Sequence, residues 1–134
     1  MTKEELAEYI EGEYGVKGDN PFEKYSDITI FRHQDNRKWF AILITVGAGY
    51  FGRKGQEEVW TLGVKCDTLL KSSFLAQKGV YPAYHMNKEH WLTLCLDEIE
   101  DNDLKTLIDI SFDLTKKKYK KNKVRLARIF YCKS

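Results

Sequence analysis

No apolar run in this chain approaches the length of a bilayer span, because Ala41 to Val46 is soon followed by glycine and charge. The N-terminus, Met-Thr-Lys-Glu-Glu, has neither the apolar core nor the small-residue cleavage site of a secretory signal, so a cytoplasmic setting is expected. Cysteine is sparse. Cys66, Cys95 and Cys132 form an odd, widely spaced set without a CxxC pair. That pattern supports neither a disulfide framework nor a zinc knuckle, and fits reduced thiols. Internal repeats are absent, and the last 20 residues contain no acid at all.

What is present fits one domain. The 134 residues suffice to bury a core, and the 43% apolar and 31% charged content is ordinary for a soluble globular protein. The net charge of +2 conceals an asymmetry. Residues 1–114 carry 13 basic and 20 acidic side chains, a net of −7, while residues 115–134 carry nine basic side chains. The expected organisation is one domain over 1–118 and a basic tail over 119–134. Such a tail is either solvated or an anion-binding arm.

Thr2 with Glu5 three residues later reads as a capping box opening a helix with Leu6, Tyr9 and Ile10 on one face, ended by Gly15. "NPFEKYSD" reads as a loop. "ITIFRH" and "KWFAILITV" are rich in β-branched and aromatic residues and read as strands joined by a "QDNR" turn, where Asp and Asn tolerate turn geometry. "EEVWTLGVK" is a third strand. Asp67 is placed to cap a helix near 68–77, ended by Gly79. "WLTLCLD" alternates, with Leu92, Leu94 and Leu96 on one face and Trp91, Thr93 and Cys95 on the other. Asn102 or Asp101 caps a last helix near 102–117 with the stripe Leu104, Leu107, Ile108 and Ser111. This order predicts a two-layer α+β domain: an antiparallel sheet of four or more strands, helices on one face, the other face open.

"GAGYFG", Gly47 to Gly52, matches the G-x-G-x-x-G spacing of dinucleotide sites. That fingerprint requires the glycines to open a helix, and another strand follows too soon to leave room for one. It is expected to be a flexible loop between antiparallel strands, with Arg53 and Lys54 at its tip free to meet an anion.

The densest cluster of chemistry is "YHMNKEHW", residues 84–91. His85 and His90 are five apart, unlike an i,i+4 ligand pair, and no third ligand is nearby, so no metal is expected. Cys95 sits mid-strand without the helix N-terminus or cationic pocket that activates a thiol, which favours packing over catalysis. Imidazole titrates near neutrality, which leaves acid–base work by His85 or His90 open. The structural reading is favoured: Pro82 enforces an extended approach, Asn87 caps the turn, His90 holds a backbone carbonyl and Trp91 covers the sheet edge.

"YPAYHMNKEHWLTLCLDE", preceded by "LGVKCD" and followed by "DLKTLIDISFDLTKKK", resembles the MmcQ/YjbR family, and "NPFEKYSDITIFRHQDNRKWFAILITV" is similar to its N-terminal half. The likeness runs from about residue 2 to about 118. It implies a compact fold similar to bacterial frataxin (CyaY-like) and a DNA-binding role through a double-wing arrangement. It brings no catalytic residues and no cofactor. The shared signature positions are His85, Asn87, Lys88, His90, Trp91 and Thr93. Of these, Lys88 is hardest to explain structurally, since a turn tip does not require a cation.

The expected function is therefore a nucleic-acid-binding or regulatory module, binding weakly and without sequence preference. The candidate contacts are Arg53, Lys54, Lys88, Lys116, Lys117, Lys118, Lys120, Lys121, Lys123, Arg125 and Arg128, with Tyr119, Phe130 and Tyr131 interleaved. Against it stand the acidic body and a pI near 8.3. The alternatives are a protein partner on the open sheet face, anchored by Trp39, Trp60 or Trp91, and a small-molecule site at His85 and His90. No membrane partner is expected.

Overall fold

The computed structural model describes residues 1–22, 24 and 27–117. Lys118, Lys120, Lys121, Lys123, Arg125 and Arg128, together with the whole 119–134 segment, lie outside the described residues.

Helix α1 spans Lys3–Tyr14. Its capping box is complete: the Thr2 hydroxyl accepts the Glu5 amide, the Glu5 carboxylate accepts the Thr2 amide, and Gly15 closes the helix in the left-handed conformation. Strands β1 (Thr29–Arg32), β2 (Trp39–Gly47) and β3 (Glu58–Lys65) follow, then a short helix α2 (Lys71–Leu75), β4 (Val80–Pro82), β5 (Trp91–Cys95) and helix α3 (Asp101–Thr115). All pairings are antiparallel, in the order β1-β2-β3-β5-β4.

The sheet has a fifth strand, β4, that periodicity missed because three residues are too few to show alternation. Gly79 leads into it at φ 86, and a Cβ there would fall 2.6 Å from the Ile99 amide nitrogen. Helix α2 is shorter than the expected 68–77. Asp67 does not cap it; its carboxylate accepts the Leu69 amide at 2.8 Å, closing a preceding turn instead. Neither Asp101 nor Asn102 caps α3: the N-cap is Glu100, without a side-chain bond. In the β1–β2 turn the left-handed residue is Arg37 (φ 64), not Asp35 or Asn36. Asn36 stabilises that turn by accepting the Lys38 amide at 2.9 Å.

One sheet face carries the main core. Leu43, Leu62, Val64, Leu92 and Leu94 pack against Leu6 and Ile10 of α1 and Leu104, Leu107 and Ile108 of α3. The register shift between Phe31 and Arg32 is a bulge that sets both Phe40 and Ala41 into this core. Ser111 fixes α3 to the sheet, donating to the Phe40 carbonyl at 2.5 Å and accepting the Lys65 amide at 2.8 Å.

The other face is partly covered, contrary to the expectation of an open one. "GAGYFG" is not a plain loop: Ala48–Phe51 forms a 3-10 turn that folds back over the sheet. Phe51 and Tyr81 pack on a second cluster of Ala48, Val59 and Cys95. The Phe51 ring meets Tyr81 at 4.7 Å, and the Tyr50 hydroxyl reaches the Pro82 carbonyl at 2.7 Å. Residues of β5 are therefore buried on both faces. No described helix is long and apolar enough to cross a membrane.

Candidate nucleic-acid interface

Antiparallel alternation sends the β1–β2 turn and the β4–β5 loop out of the same end of the sheet. Each hairpin lies at one edge, with β3 between them. Strand spacing puts the two hairpin axes about 14 Å apart. The last turn of α3 arrives at this end too: Ser111 holds the Lys65 amide, and Asn36 of the first hairpin donates to the Thr115 carbonyl at 3.0 Å. His33, buried at the base of that hairpin, bonds the Thr115 hydroxyl at 2.8 Å. Thr115 already donates to the Ser111 carbonyl, so His33 is the donor in that bond. Burial holds the His33 imidazole below its ordinary pKa.

Charge divides along the same axis. The hairpin end exposes Arg37, Lys38, Lys88, Lys116 and Lys117, interspersed with the acids Asp35, Glu89 and Asp113. Between Val59 and Leu96 four lysines face two acids, whereas the rest of 1–114 has twice as many acids as bases. At the opposite end gather Glu4, Glu5, Glu57, Glu58 and the Asp97–Asp103 segment, around a cleft of about 680 Å³. The aromatic wall of that cleft, Trp60, is covered by the Lys3 ammonium at 4.2 Å.

The β4–β5 loop holds the signature residues. Asn87 builds the turn as expected: its carboxamide accepts the Glu89 amide at 2.7 Å, and its carbonyl accepts the Trp91 amide at 3.0 Å. Thr93, buried in β5, accepts the Tyr84 amide at 2.9 Å. Lys88 has a structural partner after all, since its ammonium donates to the Ala83 carbonyl at 2.9 Å. Its carbonyl in turn accepts the Lys71 ammonium at 2.7 Å, which seats α2 beside the loop. His85 is exposed at φ 68 with its ring on Tyr84 at 4.0 Å. His90 does not hold a backbone carbonyl; it is exposed, and Nε2 faces Glu89 at 3.4 Å. Trp91 does not cover a sheet edge, because β5 is an interior strand. It stands opposite Lys65, one residue past the end of β4.

The structure separates the sequence candidates. Arg53 is not free to meet an anion. Its guanidinium forks onto Asp97 at 2.6 and 2.9 Å, reaches Glu98 at 2.8 Å and lies 3.3 Å from the Cys95 sulfur. Lys54, beside it, is exposed but at the far end from Lys88. Lys116 pairs with Asp113 at 3.4 Å, and Lys117 has no partner among the described residues. Cys95 does have a cationic neighbour, yet its thiol pKa is pushed up to about 12, first by burial and then by Asp97. Cys95 is packed in the second cluster, as the packing reading expected. Cys95, Asp97 and Glu98 are close enough to share a cation, and the Arg53 guanidinium already sits against all three. Sequence reasoning missed Arg37, Lys38, Lys65 and Lys71. The "QDNRK" turn was visible, but only the pairing shows which turns share an end.

The YjbR family pattern matches residues 12–114. An uncharacterised Bacillus subtilis (strain 168) protein, YyaQ, is 32% identical over 117 residues, covering 87% of this chain and 99% of its own. A crystal structure of a Pseudomonas syringae protein superposes with TM-score 0.82 at 38% identity, over 87% of this chain and all of that one. A solution NMR structure from the same organism gives TM-score 0.78, also at 38% identity, over 87% and 94%. A Deinococcus radiodurans crystal structure, 22% identical with TM-score 0.52 over 80% and 73%, shares the fold.

Proposed function

This chain belongs to the YjbR family, and from that premise we propose that it is a nucleic-acid-binding module that meets duplex DNA with the hairpin end of its sheet. In this reading residues 1–118 form the body, residues 119–134 serve as a basic arm, and the protein works in the cytoplasm. The observation that carries it is convergence. The β1–β2 turn, the β4–β5 loop and Lys116–Lys117 after α3 lie at the same end of an otherwise acidic body. Two hairpins about 14 Å apart are spaced to meet phosphates across a groove of the duplex. The acid-rich pole opposite would be repelled by phosphate, which orients the approach. The reading of the second sheet face as a protein-docking surface loses support, because Tyr50 and Phe51 already cover part of it.

Mobility shifts on a mixed-sequence duplex at about 50 and 200 mM salt test the reading, because each phosphate contact adds about −0.9 to the log–log salt slope. A shift at the lower salt that fades at the higher is expected. Deleting residues 116–134 flattens the slope, Arg37→Ala with Lys38→Ala weakens binding, and Lys54→Ala at the far end changes nothing. No shift at the lower salt rejects the proposal.

A further inference from the structure

Leu69 is 86% exposed and Leu70 is 46% exposed. Single surface leucines are common and need no explanation; the setting of this one calls for one. Leu69 follows the end of β3, the central strand, so its turn lies at the hairpin end. Its backbone is held: the Asp67 carboxylate accepts its amide, the Asp67 carbonyl accepts the Leu70 amide at 3.1 Å, and the Leu70 carbonyl accepts the Phe74 amide at 3.2 Å. The side chain is thus presented on a fixed turn, largely in solvent. Lys71 and Lys88 lie beside it, joined by the bond from the Lys71 ammonium to the Lys88 carbonyl. Leu114, in the last turn of α3, is also exposed, so three of the four exposed large apolar side chains among the described residues sit at this cationic end.

We propose that Leu69 is a wedge that enters the base stack of bound duplex DNA, partly unstacking one step and bending the helix. This rests on the nucleic-acid reading above and names the contact that does not come from charge. The lysines beside it neutralise phosphates while the apolar tip meets an apolar surface that DNA offers, the faces of its bases. A protein partner fits less well, because the cores of protein interfaces are depleted of charge and this leucine stands beside Lys71, Lys88 and the Asp67 carboxylate.

The test compares the wild-type chain with Leu69→Ser on a short duplex in which alternate adenines are 2-aminopurine, whose fluorescence rises on unstacking. A second duplex labelled at both ends reports bending by energy transfer. Leu69 touches little, so the variant should melt with the wild type, which excludes misfolding. Wild-type protein should raise the fluorescence and shorten the end-to-end distance. Leu69→Ser should lose both signals and about tenfold in affinity, with the salt slope unchanged because the phosphate contacts remain. Binding by both proteins with no unstacking by either overturns the wedge and leaves the nucleic-acid reading standing. No binding by wild type at about 50 mM salt overturns both. Leu69-dependent binding to phosphatidylserine vesicles with none to DNA overturns both as well, and assigns the leucine to a lipid surface.

Discussion

The hydroxyl of Thr93 accepts the amide of Tyr84 at 2.9 Å and so closes the base of the β4–β5 loop from inside the sheet. Thr93 is 3% exposed, which means water cannot replace that bond if the hydroxyl is removed. A threonine at this position is a loop anchor.

Thr93→Val keeps the shape and deletes the acceptor. Stranding the Tyr84 amide should cost about 1–3 kcal/mol of unfolding free energy. Thr93→Ser retains the hydroxyl and should recover most of it. Urea denaturation of the three proteins checks this, and equal midpoints for Val and Thr would show the bond contributes nothing.

His90 and Trp91, adjacent in the signature, should separate in stability measurements. His90 is exposed with its ring facing Glu89, so His90→Ala should stay within about 0.5 kcal/mol of wild type. Trp91 is partly buried, so Trp91→Ala should cost about 2 kcal/mol, below the roughly 3–5 of a fully buried ring. An unchanged melting temperature in Trp91→Ala would make the ring a contact residue.

Acid should loosen the far end of the molecule first. The Arg53 guanidinium holds the Asp97 carboxyl down to about 2 from its ordinary 3.8. A depressed native pKa contributes stability that is present above about pH 4 and lost as pH falls through 2. Asp97 is more than half exposed, so the contribution is small and salt-screened. Carboxyl carbon NMR should show Asp97 titrating near 2 in wild type and closer to 3.8 in Arg53→Met. The same value in both would mean the ion pair does not persist in solution.

Local chemistry was legible in the sequence, and adjacency was not. Thr2 and Glu5, the alternation of β5 and the stripe of α3 declared themselves because caps and periodic faces depend on residues within a turn or two of each other. The two-layer α+β architecture followed from those elements, and the family likeness from the stretch "YPAYHMNKEHWLTLCLDE" and its flanks. Only the tertiary structure decided that Arg53 is bound by Asp97 and Glu98, that Tyr50 and Phe51 cover part of the second sheet face, and that Lys88 serves the Ala83 carbonyl. It alone placed Arg37, Leu69, Lys88 and Lys117 at one end, because strand pairing, not chain order, fixes which loops share a side. Arg53 and Asp97 are 44 residues apart, and no local pattern encodes a partner at that range. The physical reason is that a salt bridge or a shared surface depends on folded distance, while propensity and periodicity report only on the backbone nearby.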